Sequence, residues 1–340
     1  MDQEYLNLIR KRFPVDTGSA SRLFLDSVSP STRVYTVKTS DSPLIGEDLG
    51  ECFLLDTPHA QRIASHPHLV GADLADLSLA TAYEFKSMLL ELGLIGESTG
   101  ILHILRGSSG YKVNEAIPEL PLINIRTEYT EDGYRSHSDD SRRIEVTYSD
   151  YHGQDLDTLI IPDTYATGRS VEAALITFRE SGHSPKTVII YGFIAIPAIQ
   201  RLHNLCRQEN CSLITVALCD ITQLAANNYD MTLFGPDEYL HTNKKELNYL
   251  GSIVGEETLK EMAENFIPGL DQPGDWSERQ NKLFNGHGLE DGNIKGHLSK
   301  SIKFIEELDK LNRTQEWYND QIKEMTAIEL KSLKETLDKY

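Results

Sequence analysis

The 340-residue sequence predicts a doubly wound α/β domain with a parallel sheet, and two observations carry that expectation. Short, continuously apolar runs recur at 101–105 (ILHIL), 120–125 (LPLINI), 157–161 (DTLII), 187–194 (TVIIYGFI) and 212–218 (SLITVAL), as strands buried on both faces require. Between them lie segments with helical spacing, and alternation of the two is the pattern of a sheet covered by helices on each side.

Taken in order, residues 1–71 read as an N-terminal extension of short strands and turns, because Pro14, Pro30, Pro43, Pro58 and Pro67 interrupt any long periodicity. From Asp73 the pattern becomes helical: Leu74, Leu77, Phe85, Met88, Leu89 and Leu92 share a face, Asp73 can cap and Gly93 can terminate. The α/β domain spans 72–245. Within it YKVNEAI (111–117) reads as a short helix, SVEAALITFRESG (170–182) as a helix buried through Val171, Ala174, Leu175 and Phe178 and closed by Gly182, and PAIQRLHNLCRQ (197–208) as a third. Residues 246–340 form an appendage. Its loops, IPGLDQPGDW and NGHGLEDGNIKGH, precede a charged helical tail from Leu298, with Ile302, Ile305, Leu308 and Leu311, then Ile322, Met325, Leu333 and Leu337, at three- and four-residue steps. Such a tail packs on the core or on a second subunit.

Lys and Arg total 33 against 52 Asp and Glu, a net charge of −19, which repels phosphate backbones and argues against nucleic-acid binding. The opening MDQEYLNLIRKRF has no apolar stretch behind its charges, so no secretory signal is expected, and no run approaches the roughly 20 apolar residues of a membrane span. A cytoplasmic protein is expected. Cys52, Cys206, Cys211 and Cys219 are too few and too irregular for a disulfide framework. Cys206 and Cys211, with His203 nearby, read as structural thiols, and His59, His66, His68, His287 and His297 as solvated or hydrogen-bonded surface groups; no metal ligand is assigned.

Ligands of open α/β sheets bind at the carboxyl ends of the strands, so the residues after each apolar run are informative. In TLIIPDTYATGRSVEAAL (158–175) a strand runs into Asp163, and Ala166, Thr167, Gly168, Arg169 and Ser170 make a turn that opens into a helix. Amides at a helix start, with the helix dipole, favour an anion; Thr167 and Ser170 add hydroxyls, and Gly168 lets the main chain approach a phosphate. An ordinary connection capped by Ser170 is the alternative, but the order acid, Thr-Gly, Ser at a strand end favours the phosphate. In ILHILRGSSGY (101–111) a second strand ends in Arg106-Gly107-Ser108, another small-residue anion nest with a guanidinium beside it.

The first segment resembles the ribose-5-phosphate loop of type I phosphoribosyltransferases, most closely, through Ala166-Thr167-Gly168-Arg169-Ser170, the uracil branch. The resemblance covers about residues 95–240. It implies that 166–170 hold the 5-phosphate of 5-phosphoribosyl-1-pyrophosphate (PRPP), that Asp163 binds ribose hydroxyls, that the Arg106-Gly107-Ser108 turn contacts the pyrophosphate, and that Mg²⁺ arrives bound to PRPP. Pro162 stands where the family has its first acidic residue. The polar segment 127–153 corresponds to the family's mobile hairpin, whose cations, here Arg142 or Arg143, would meet the leaving pyrophosphate; the sequence does not choose between the two. The segment 219–240 corresponds to the hood over the acceptor base, with Tyr229, Asp230, Phe234 and Asp237 as candidate base-binding groups and packed aromatics of an ordinary turn as the alternative.

The expected activity is therefore transfer of a phosphoribosyl group to a nucleobase-like nitrogen acceptor, uracil first, with release of pyrophosphate. A homodimer is the expected assembly. A second reading, prompted by Pro162 and by a hood lacking the Gly-rich ending of a uracil enzyme, is a non-catalytic module that senses PRPP or a nucleotide and uses its tail for a dimer or partner contact. A third, a larger biosynthetic enzyme with an unusual acceptor, is left undecided by the sequence.

Overall fold

The computed structural model describes residues 3–129, 143–151, 155–237 and 247–340. In chain order the elements are α1 (Gln3–Arg12), β1 (Ala20–Leu23), β2 (Arg33–Val37), β3 (Glu51–Asp56), α2 (Pro58–Ser65), α3 (Gly71–Glu91), β4 (Thr99–Leu105), α4 (Val113–Ala116), β5 (Leu122–Tyr129), β6 (Ile144–Asp150), β7 (Thr158–Pro162), α5 (Arg169–Glu180), β8 (Thr187–Ala195), α6 (Ile196–Gln208), β9 (Ser212–Thr222), β10 (Gly235–Asp237), β11 (Asn248–Leu250), β12 (Ser252–Val254), α7 (Glu256–Met262), β13 (Lys282–Phe284), β14 (Leu289–Asp291), α8 (Ile294–Asn312) and α9 (Asp320–Leu337).

The five apolar runs are β4, β5, β7, β8 and β9, and all five lie parallel in one sheet of order β1-β2-β3-β9-β8-β7-β4-β5-β6, with β12 also paired to β9. The order reverses between β4 and β7. From β4 the chain moves outward to β5 and the antiparallel β6; from β7 it moves the other way through β8 to β9. In open α/β sheets such a switch point, beyond the carboxyl ends of the strands, is where ligands bind.

Both faces are covered. Helices α5 and α6 pack on one, where Val171, Ala174, Leu175 and Phe178 are buried with Ala198, Ile199 and Leu202; each fully buried large apolar side chain contributes about 1.5–3 kcal/mol. On the other face α1 and α3 share a core with the tail, through Leu298, Ile305, Leu308, Leu311, Ile322 and Leu333. The tail thus packs on its own core, its partly buried Ile302, Met325 and Leu337 along the edge. Residues 20–56 and 252–254 extend the same sheet, β3 pairing parallel with β9 and β12 antiparallel to it.

Several boundaries differ from the sequence reading. The N-terminal segment starts with a helix: Tyr5, Leu6, Ile9 and Phe13 are buried, and the Phe13 ring meets Phe234 at 5.3 Å and Trp317 at 5.0 Å. Helix α3 begins at Gly71 after an uncapped Val70, so Asp73 lies in the first turn, where it complements the dipole, and Gly93 ends the helix at φ +67°. The segment 285–297, read as loop, instead holds the turn and second strand of a hairpin, β13 with β14 over 282–291, and the first turn of α8 from Ile294. His297 is buried rather than a surface group, its Nε2 2.9 Å from the Pro67 carbonyl. Cys206 is buried and Cys211 half-buried, the two thiols hydrogen-bonded. No helix among the described residues is long and apolar enough to cross a membrane.

Candidate active site at the sheet switch point

A cavity of about 230 Å³ sits at the carboxyl end of β7. Asp163, Ala166, Thr167, Gly168, Arg169 and Ser170 line it, six residues that the sequence brings forward together. The strand ladder leads straight into it. Pro162, buried at the end of β7, is registered against Tyr191, and the Asp163 amide donates to the Tyr191 carbonyl at 2.9 Å. The Tyr165 amide then donates to Phe193 at 2.8 Å, and Ala195 donates back to Tyr165 at 2.9 Å.

This pairing demands a glycine in β8. Gly192 has φ +145°, and a Cβ there would lie 1.9 Å from the Asp163 carbonyl oxygen, so only glycine lets β8 bulge against the residue after β7. Gly168 is the second such position. It caps α5 at φ +74°, and its missing Cβ faces α6, where Ala198 Cα and Cβ lie 3.2 Å away. The expected reason for Gly168, room for a phosphate, is therefore corrected: the glycine makes room for α6, and the cavity gains from the turn so formed. Arg201 on α6 secures that turn, donating through Nε to the Thr167 carbonyl at 2.9 Å and pairing with Glu172 at 2.8 Å.

Behind this turn, the amides of Ala166, Thr167, Gly168, Ser170 and Val171 give no hydrogen bond to a backbone carbonyl among the described residues. They stand at the start of a 12-residue helix, where dipole and amides favour an anion. Asp163 faces the same space. Burial pushes its carboxyl up to about 7, the Thr164 amide opposes that shift, and no basic group among the described residues contributes to holding it ionised. A carboxyl so placed suits hydroxyl donors or a ligand-borne cation.

The second anion nest is arranged otherwise. The Leu105–Arg106 peptide is cis, and residues 107–111 form a 3₁₀ turn. Arg106 is held by two carboxylates of the appendage: its guanidinium pairs with Glu278 and, at 2.8 Å, with Glu290. Ser108 is fully buried and its hydroxyl is spent on Ile104, accepting from the amide at 2.7 Å and donating to the carbonyl at 2.9 Å. The Gly107 carbonyl accepts from Trp276 Nε1 at 3.0 Å, and the Trp276 ring stacks on Tyr111 at 4.3 Å. The appendage thus covers this turn, and none of Arg106, Gly107 and Ser108 lines the cavity. A Cβ on Gly107 would still lie only 3.6 Å from Asp163 Oδ1, so the two turns face each other.

Of the hood residues, Tyr229 lines the cavity. Asn227 shapes that loop, its Oδ1 accepting from the amides of Tyr229 at 2.8 Å and Asp230 at 2.9 Å, and Asn228 takes φ +59°. Burial, then Asp275 and Asp271, push the Tyr229 hydroxyl well up. Asp230 stands beside the cavity without lining it and raises the neighbouring buried Asp271 carboxyl, whose own burial is the larger cause. Phe234 and Asp237 are corrections. Phe234 is fully buried against Phe13 and Phe266, and Asp237 is buried and bonded to the Ala226 amide at 3.1 Å and Asn248 Nδ2 at 3.2 Å. Arg142 lies outside the described residues, and Arg143 is exposed, 3.4 Å from Glu145, and is not among the residues that line the cavity, although its neighbour Ile144 is registered against the lining residue Tyr129.

The sequence reading missed Tyr129, Thr164, Tyr165 and Asn228, which also line the cavity, as does Val171, read only as a core residue of α5. Only Thr164 and Tyr165 carried a signal, their position inside the loop; Tyr129 and Asn228 arrive from other strand ends.

No family model matches the chain, and no curated protein matches it. Among solved structures it is similar to the AQ2163 protein from Aquifex aeolicus, at 15% identity and a TM-score of 0.40, with 51% of this chain and 86% of that one covered. It is also similar to adenine phosphoribosyl transferase from Trypanosoma brucei, solved with AMP, pyrophosphate and ribose-5-phosphate, at 12% identity, a TM-score of 0.34 and coverages of 49% and 83%. Orotate phosphoribosyltransferase from Mycobacterium tuberculosis, in complex with inorganic phosphate, is similar at 17% identity, a TM-score of 0.28 and coverages of 47% and 88%.

Proposed function

We propose that the cavity binds a phosphorylated ribose, and that the protein is a phosphoribosyltransferase that uses PRPP and a nucleobase-like acceptor. The observation that carries this reading is the set of amides of Ala166, Thr167, Gly168, Ser170 and Val171, which meet no backbone carbonyl among the described residues, at the switch point of a parallel sheet, with Asp163 lining the same cavity. In this reading the amides, with Thr167 and Ser170, grip the 5-phosphate, Asp163 takes the ribose hydroxyls, and Tyr229 lies against the acceptor ring. Held at both ends, the ribose presents its anomeric carbon to the acceptor nitrogen, so orientation supplies much of the rate. Mg²⁺ would come with PRPP, neutralising pyrophosphate oxygens, and Asp163, the one carboxylate lining the cavity among the described residues, fits a place beside it.

One observation favours the second reading, a PRPP- or nucleotide-sensing module. Arg106, the cation expected at the pyrophosphate, is already neutralised by Glu278 and Glu290. The two readings separate in one experiment: pyrophosphate release from PRPP and Mg²⁺ in the presence of uracil, orotate, adenine, guanine or hypoxanthine, run with the wild type and with E278Q/E290Q. Turnover in the wild type supports the enzyme. PRPP binding without turnover in either form supports the sensor, and failure of PRPP and ribose 5-phosphate to bind overturns both.

A further inference from the structure

We infer that His66, His68 and Glu329 form a binding site for a divalent transition-metal ion of the zinc class, remote in function from the cavity. The three residues come from distant parts of the chain. His66 and His68 sit in the turn between α2 and α3, and Glu329 projects from α9. His66 Nδ1 lies 3.0 Å from one Glu329 oxygen and His68 Nδ1 2.7 Å from the other, with the His68 amide also 3.1 Å from that second oxygen. The donor atoms of all three lie within 4.8 Å of one another.

Two imidazoles and a carboxylate are a donor set suited to Zn²⁺, Co²⁺ or Ni²⁺ and poorly suited to Mg²⁺ or Ca²⁺, which prefer oxygen alone. Adjacent donors around tetrahedral zinc stand about 3.4 Å apart, given bonds of about 2.1 Å. The observed 2.7 and 3.0 Å separations open to that value by small side-chain rotations. Ligation through Nδ1 leaves Nε2 to carry the ring proton, so the metal takes the place of the two contacts between the rings and Glu329. The imidazoles are 27% and 24% exposed while Glu329 is 3% exposed, so solvent reaches the side where a water would complete the shell.

The turn is built to hold its shape. Arg279 donates to the carbonyls of His66 at 3.1 Å and Leu69 at 3.0 Å, and His297 meets the Pro67 carbonyl at 2.9 Å. Bound metal would clamp the last helix to the loop preceding α3.

The test uses the full chain, stripped with chelator and dialysed, titrated with ZnCl₂ by calorimetry and with CoCl₂ by visible absorption. The expected result is one equivalent of Zn²⁺, a tetrahedral Co²⁺ spectrum without thiolate charge transfer, and a melting temperature about 3 °C or more higher with Zn²⁺. H68A and E329Q, with circular dichroism matching the wild type, bind at least ten-fold more weakly. H66A, which leaves the His68–Glu329 contact in place, guards against a folding defect in E329Q and is expected to weaken binding likewise. The assignment is overturned if Zn²⁺ does not bind, if the affinity is unchanged in H66A and H68A, or if the Co²⁺ spectrum shows thiolate ligation, which would put the metal on Cys206 and Cys211.

Discussion

Asp163→Asn tests the electrostatics of the cavity most directly. In the folded protein burial lifts the Asp163 carboxyl from 3.8 to about 7. The native state therefore binds this proton more tightly than the unfolded chain, and the group's contribution to stability is complete below about pH 4 and lost as pH rises through 7. That gap converts to roughly 4 kcal/mol, and access of solvent from the cavity side reduces it to about 2. Because only the part of the span from pH 5 to 7 falls in the measured interval, urea unfolding at pH 5 and pH 8 is expected to show the wild type losing about 1 kcal/mol more than D163N. Ligand binding moves in the opposite sense, because ribose hydroxyls and a Mg²⁺-bearing ligand both prefer the carboxylate. With a pKa near 7 the ionised fraction rises from about one part in eleven at pH 6 to ten in eleven at pH 8, so PRPP affinity with Mg²⁺ should rise about ten-fold. The phosphate of the ligand titrates near 6 as well, and D163N isolates that part: it should bind more weakly and lose most of the pH dependence. An identical pH profile in D163N and wild type would refute the placement of this carboxyl against the ligand.

Two further outcomes follow from the same geometry. G168A forces a side chain into φ +74° and sets a Cβ 3.2 Å from Ala198, so it should cost about 1–3 kcal/mol in urea unfolding and weaken ribose 5-phosphate binding at least ten-fold; unchanged values for both would remove Gly168 from the site. R279M should cost about 3–5 kcal/mol, because the fully buried guanidinium satisfies carbonyls of Ile63, His66, Leu69 and Pro273; a loss under about 1 kcal/mol would show that these carbonyls find water instead.

Residues 163–170, all of which line the cavity, are consecutive in sequence, and a consecutive motif on a strand–turn–helix unit is legible because its own backbone builds the site. The five parallel strands were legible for a similar reason: burial on both faces leaves no polar positions, and the runs stand out. Helix α1 was not, although Tyr5, Leu6, Ile9 and Phe13 share a face, because ten residues with four charges give a weak period until Phe234 and Trp317 supply the other half of the contact. Phe234 looked like a ring for a ligand and packs in the core instead; aromatic residues carry no mark of which they will do.

What the chain alone determined, then, is the alternation of strands and helices and the turn at 166–170 that lines the cavity, since both depend on local periodicity and on residues close in sequence. Tertiary structure alone decided the fate of Arg106. Its partners Glu278 and Glu290 lie more than 170 positions away, and only the folding of the appendage over the β4 turn brings their carboxylates to a guanidinium that local sequence offers to a phosphate. The bulge at Gly192 and the meeting of His66, His68 and Glu329 belong to the same class: each depends on a close approach between segments whose spacing in the chain says nothing of their distance in space.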